Sequence, residues 1–163
     1  MKPALALLSV LALAACDAPK LTGLATGLDM NAYSPMPAPG RPEDASFAFE
    51  PFPGMPGNVG DELQRRLWRR MENEGLTVIK RPGGRAMFTI EGTLTAVSED
   101  TNSLVFYVFE VKDVAGQRLH RISGTKRSNS TEGDPWASVD ERDLDIIARR
   151  VAALVRAWLY SDA

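Results

Sequence analysis

Ser103-Leu104-Val105-Phe106-Tyr107-Val108-Phe109-Glu110-Val111-Lys112-Asp113-Val114 is the stretch that decides the fold. It is rich in β-branched and aromatic residues and holds neither Pro nor Gly, the signature of a strand. A period of two puts Val105, Tyr107, Phe109 and Val111 on one face. Leu104, Phe106 and Val108 fall on the other. The strands around it are read from their turns. Residues 85–97 form a long strand with Phe88, Ile90, Leu94 and Ala96 on one face. Met87, Thr89, Glu91, Thr93 and Thr95 share the opposite face. The chain turns over 99–102, turns again over 113–117, and 118–127 makes a weaker strand at the sheet's edge.

Upstream, Phe47 and Phe49 alternate with Ala48 and Glu50, a short strand closed by Pro51 and Pro53. Val59, Leu63, Leu67 and Met71 then recur every four residues, one face of a helix. Asn58 is the expected N-cap and Gly75 the stop. Gly60 falls on the apolar face and permits close approach to a sheet. Asp61–Arg65 and Glu62–Arg66 have the favourable (i, i+4) order. Residues 76–81 read as a further strand and Pro82-Gly83-Gly84 as a turn. At the other end Asp140 caps a helix whose stripe is Leu144, Ile147, Ala148, Val151, Leu154, Val155, Trp158 and Leu159. Trp136 is expected to pack beneath the entry to this helix.

The order is β-α-β-β-β-β-α. A helix between the first two strands makes them parallel with a right-handed crossover, and the hairpins that follow are antiparallel. We therefore expect an α+β fold: a two-layer sandwich with a mixed, mostly antiparallel sheet of about five strands and two helices on one face. The domain is expected over 46–163, after a Pro-rich tether over 16–45 and a leader over 1–15.

The leader carries the most specific motif. Lys2 precedes an apolar run over 4–12, too short for a spanning helix, and Leu13-Ala14-Ala15-Cys16 follows. Cys16 is the only cysteine in the chain. This motif resembles the lipobox of bacterial lipoproteins. The resemblance implies cleavage before Cys16, a diacylglycerol on its thiol and a lipid anchor on the periplasmic side of the cell envelope. Two or more acyl chains hold a protein stably, where one holds it only marginally. Asp17 resembles the inner-membrane retention signal of enteric bacteria, so the inner membrane is preferred over the outer. Pro35-Met36-Pro37-Ala38-Pro39 is expected to be extended.

Composition excludes some functions. Without Lys2 the 19 Lys and Arg fall one further below the 21 Asp and Glu, a mature net charge of about −3. So mild a balance implies no nucleic-acid partner. His120 is the only histidine and lies in the expected edge strand, read as a solvated structural residue. No serine has a GxSxG context and no metal-ligand spacing occurs. The glycines at 54–57 and 83–84 lack P-loop and Rossmann endings and are explained by turns. We expect no catalytic site, no metal and no cofactor.

Two surfaces remain. Arg142, Arg149 and Arg156 recur every seven residues along one flank of the last helix, with Arg65 and Arg69 on the outer side of the first. They suit an anionic partner or a solvated, charge-balanced face. Leu104, Phe106 and Val108 lie on the sheet face away from the helices, where polar residues are expected. The tether, another copy or a partner protein would cover them. The domain is loosely similar in element order to the lipoprotein activators of penicillin-binding proteins and to the amino-terminal domain of the Tol–Pal translocation protein. Gly133-Asp134-Pro135-Trp136 with Ala157-Trp158-Leu159 resembles small envelope lipoproteins, and no functional residue carries over. The function expected is a non-enzymatic adaptor or accessory subunit for an envelope complex in cell-wall synthesis or transport. The alternative is a carrier or sensor of a small apolar ligand or lipid.

Overall fold

The computed structural model describes residues 34–81, 83–99, 102–128 and 133–161. The lipobox, Cys16 and the tether up to residue 33 lie outside them. Five strands form one sheet: β1 (Ser46–Phe49), β2 (Thr77–Val78), β3 (Phe88–Glu99), β4 (Asn102–Lys112) and β5 (Arg118–Ser128). Two helices, α1 (Gly57–Asn73) and α2 (Glu141–Leu159), complete the α+β order β-α-β-β-β-β-α.

The sheet order is β2-β1-β3-β4-β5. β1 runs parallel to both β2 and β3, and β3-β4-β5 is an antiparallel meander. This corrects one expectation. The turn over 82–84 does not fold β2 back on β3 as a hairpin; β1 lies between them. Strand β2 is also shorter than its apolar run, and β3 starts at Phe88 rather than Arg85. Backbone pairing with β1, fixed by the register Phe47↔Phe88, sets that start.

The helices cover one face. Val59, Leu63, Leu67 and Met71 of α1 are all buried, as are Leu144, Ile147, Ala148, Val151, Val155, Trp158 and Leu159 of α2. They meet Phe47, Phe88, Ile90, Leu94, Val105, Tyr107, Phe109 and Val111 in one core. Leu154 alone of the expected stripe is largely exposed, at 38%. Burial of the Tyr107 phenol pushes its ionisation up.

Caps follow sequence chemistry with one difference. The Asp140 carboxylate accepts from the Asp143 N–H at 2.8 Å and starts α2. Helix α1 begins one residue before Asn58, with Pro56 as its N-cap and no side-chain cap. Gly75, at φ 78°, ends it. A Cβ at Gly60 would meet only the Met55 side chain at 3.5 Å and the Phe52 carbonyl at 4.0 Å, both in the loop before α1 and both ordinary contacts, so the expected close approach to the sheet does not occur. The Ser138 hydroxyl donates to Ser103 Oγ at 2.7 Å, and the Ser128 hydroxyl to the Ser138 carbonyl. These bonds tie the 3-10 turn Pro135–Ser138 to the sheet, and Trp136 packs on the core there.

The start of the described chain is part of the domain. Met36 and Ala38 pack against the core. The Met36 N–H donates to the Leu119 carbonyl at 2.9 Å, and the Trp158 indole N–H donates to the Met36 carbonyl at 2.7 Å. Residues 36–45 thus run across the end of the sandwich from β5 to β1.

Gly92 in β3 shows how tight the core is. A Cβ there would lie 2.5 Å from Phe109 Cε1 and 3.0 Å from Phe52 Cε1. The two rings meet edge to face at 5.8 Å. Both must move to admit a methyl group, so Gly92→Ala is predicted to cost about 1–3 kcal/mol in urea unfolding. An unchanged midpoint contradicts this packing.

Candidate functional site

The outer sheet face is built by register. Val97, Leu104 and Arg127 lie side by side across β3, β4 and β5, followed by Thr95, Phe106 and Thr125, then Thr93, Val108 and Ser123. Phe106 is 38% exposed and Val97 45%. The apolar strip therefore runs along β4 between rows of hydroxyls, as its period of two requires. Glu91 and Glu110 pair directly, a repulsive arrangement on a sheet. Lys112 answers Glu91 at 2.6 Å and Arg118 answers Glu110 at 2.9 Å. Among the described residues both helices and the leader segment pack on the other face, so nothing described covers Leu104, Phe106 and Val108.

Arg142, Arg149 and Arg156 do share a flank, and that flank faces α1. Arg142 lines a groove of about 560 Å³ between the helices with Arg66, Arg69, Arg70, Glu141 and Asp145. Arg149 lies 3.2 Å from Asp145, and Arg156 lies 4.0 Å from Glu74 and over the Tyr160 ring. Arg70 holds Asp145 through both carboxylate oxygens, at 2.7 and 2.6 Å. That bidentate bond, foremost, holds the Asp145 carboxyl below its ordinary range. The Arg65 hydrogen bond does the same for Glu62. All three predicted arginines are exposed; Arg149 and Arg156 each also have an acidic neighbour within 4.0 Å, and Arg142 lines the groove.

A cleft that sequence reasoning missed lies at the other side of the sheet. It has a volume of about 610 Å³ and sits where β1 and β2 end and α1 begins. In sheets with parallel strands, the carboxyl ends are where ligands enter. Phe49, Phe52, Trp68 and Ile79 form its walls. The Trp68 indole Nε1 is buried with no hydrogen-bond partner. Gly57, Gly83 and Gly84, from the two glycine motifs that turn chemistry explains, border the cleft. Trp68 itself follows a core residue of α1, and nothing in its spacing singled it out.

His120 departs from the solvated reading. It pairs with Val111, whose side chain is buried, and stacks on Trp158 with centroids 5.5 Å apart and planes 4° apart. Burial lowers its pKa below 6.5, and its Nδ1 is buried without a partner. Its shared parity with Ile122, buried on the same strand, was the available signal.

No family model and no curated protein matches the chain. Solved structures do resemble it. The PelC dodecamer from Paraburkholderia phytofirmans aligns with TM-score 0.50 and 16% identity, over 76% of this chain and 92% of that one. Protein XCC0632 from Xanthomonas campestris, of family model DUF330, aligns with TM-score 0.48 and 13% identity, over 80% and 99%. Lipoprotein GNA1162 from Neisseria meningitidis aligns with TM-score 0.41 and 14% identity, over 73% and 99%. The likeness to PelC is one of fold. Among the described residues no helix is long and apolar enough to cross a membrane.

The His120 environment sets a pH dependence. The folded state keeps the ring neutral below pH 6.5, where the unfolded chain takes up a proton. Its contribution to stability is present above 6.5 and is lost as pH falls through the lowered folded value. Asp145 and Glu62 act lower, as pH falls through and below ordinary values of 3.8 and 4.5. The urea midpoint is therefore predicted to fall between pH 7.5 and 5.5 in the native chain. In His120→Phe, which keeps a stacking ring, that fall should shrink. An equal fall in both proteins contradicts the assignment.

Proposed function

We propose that the protein is a lipid-anchored adaptor on the periplasmic side of a bacterial envelope, without enzymatic activity, which docks onto an envelope protein complex. The observation that carries this reading is the open sheet face. Leu104, Phe106, Val108 and Val97 make an apolar strip on a sheet whose other face is fully covered. Such a strip, flanked by hydroxyls and bordered by charges, has the chemistry of an interface centre with a polar rim. Cys16 would carry the anchor through its lipobox. Tethering would raise the local concentration of a weak binder near a membrane partner.

Copies of the chain itself belong among the partners considered. PelC, of the same fold, is described as a dodecamer, and an apolar sheet face suits assembly of that kind. The alternative reading, a carrier of a small apolar ligand or lipid, has the edge cleft in its favour. Against it stand Phe47, Phe88 and Phe109, which leave the space between sheet and helices filled.

Crosslinking in intact cells tests the proposal, with Phe106→Glu as the variant. Phe106 is 38% exposed, so Phe106→Glu is expected to lower folding stability by about 1–2 kcal/mol and leave the domain folded, which the urea midpoint checks. The native chain is expected to capture one dominant envelope protein or its own copies, and Phe106→Glu to lose that capture. Capture that survives the substitution removes the sheet face from the interface. Arg149→Glu is expected to leave capture in place, because Arg149 lies on α2, on the side of the sheet away from the apolar strip.

A further inference from the structure

We propose that the outer face of α2 docks on an anionic lipid surface, with its arginines on the phosphate headgroups. The residues that α2 turns away from the core carry this. The helix exposes four arginines, Arg142, Arg149, Arg150 and Arg156. Between them it exposes only apolar residues, Ile146, Ala153, Leu154 and Ala157, and the exposed ring of Tyr160 follows at its C-cap. At 3.6 residues per turn all of these fall within roughly half the circumference. Among the described residues of α2, Glu141 is the one exposed acid, and it points to α1, where Arg66 holds it at 2.7 Å.

A face that is only solvated carries both signs. Helix α1 does so, with Asp61 and Glu72 exposed beside Arg65 and Arg69. The outer face of α2 carries one sign, in a chain whose formal net charge is −2. Asp145 and Glu74, which neighbour Arg149 and Arg156, lie at the seam with α1. Arg142 and Arg150 have no ion pair among the described residues. Cations set among apolar side chains suit a headgroup layer. Arginine lays its stem over apolar surface and holds its charge at the phosphates, whose oxygens match the guanidinium fork. Tyr160 offers a ring and a hydroxyl to the same boundary. The attraction is electrostatic first, because the main apolar stripe of α2 is spent on the core.

The path of the chain favours the same occupant. The Trp158 indole N–H holds the Met36 carbonyl at 2.7 Å, so the chain before Ser34 enters the domain at the last turn of α2. An anchor at Cys16 would bring that end of this helix toward the bilayer; in this respect the inference rests on the lipid-anchored reading. Docking by α2 would turn the opposite side of the sandwich, with Leu104, Phe106 and Val108, away from the lipid and toward a partner. The surface thus goes beyond the adaptor reading by giving the domain an orientation.

The test uses the complete chain with Cys16→Ser, so that no acyl chain is present, and an environment-sensitive dye on Ala153→Cys. A second chain carries the dye on Thr125→Cys, exposed on the outer sheet face. The probes are phosphatidylcholine vesicles with and without phosphatidylglycerol. The dye at 153 is expected to brighten and shift to the blue on phosphatidylglycerol vesicles, less so as salt is raised, while the dye at 125 stays unchanged. Arg142→Gln with Arg150→Gln is expected to weaken this partition roughly tenfold or more and to keep the urea midpoint. A dye at 153 that stays silent overturns the proposal. So does an equal response to phosphatidylcholine alone, or a partition indifferent to the two arginines. A response at 125 in place of 153 puts the sheet face on the lipid and overturns it as well. A silent dye leaves the anchor untouched, because Cys16 acylation is read separately from the mass of the chain isolated from cells.

Discussion

Burial of one sheet face by two helices is the constraint on which the rest of the structure depends. Phe47, Phe88 and Phe109 stand on that face with no exposure, and Leu63, Leu67, Met71, Ile147 and Val151 close over them. Dense interiors of this kind transmit shape rather than absorb it. With the inner layer filled, whatever the molecule binds must meet its outer sheet face, its helix seam or its edges. The three regions differ in chemistry because they are made from different leftovers. The sheet contributes its second parity, the helices their charged flanks, and the edges the loops that join unlike elements.

The helix seam carries many ion pairs, yet it does not hold the layers together. Exposed pairs contribute between nothing and about 1 kcal/mol each, far less than the apolar residues beneath them. Asp145 is the exception in geometry, gripped by Arg70 from α1 and Arg149 from α2. Its role is alignment. A planar guanidinium that meets both oxygens of one carboxylate fixes how the two helices slide past each other.

Much of this was legible in the sequence because two periods, 2 and 3.6, are local properties. Val105, Tyr107, Phe109 and Val111 could only share a face, and Leu63, Leu67 and Met71 could only share a stripe. The pairing of β1 was not legible, since the apolar content of β2 fits a place on either side of it. That choice is made by the assembled core, through contacts such as Phe47 against Phe88 at 5.2 Å. The open sheet face was visible as a breach of alternation at Leu104, Phe106 and Val108. The arginine spacing was also visible, but spacing alone does not say that Arg149 pairs with Asp145 one turn earlier on the same helix. The cleft was hidden, because it is bounded by loops and its depth comes from where β1 stops.

The seat of Met36 has a mechanical meaning. A pull applied to the chain before Ser34 enters the domain at the Leu119 carbonyl and the Trp158 indole. It arrives at the start of strand β5 and the last turn of α2, beside the His120 stack, and not at β1. Strand β1, only four residues long and second from the sheet's edge, is thereby shielded from tension by the segment that crosses to it. Any tether that the chain before Ser34 supplies would therefore meet the folded domain at Met36 and not at Ala45.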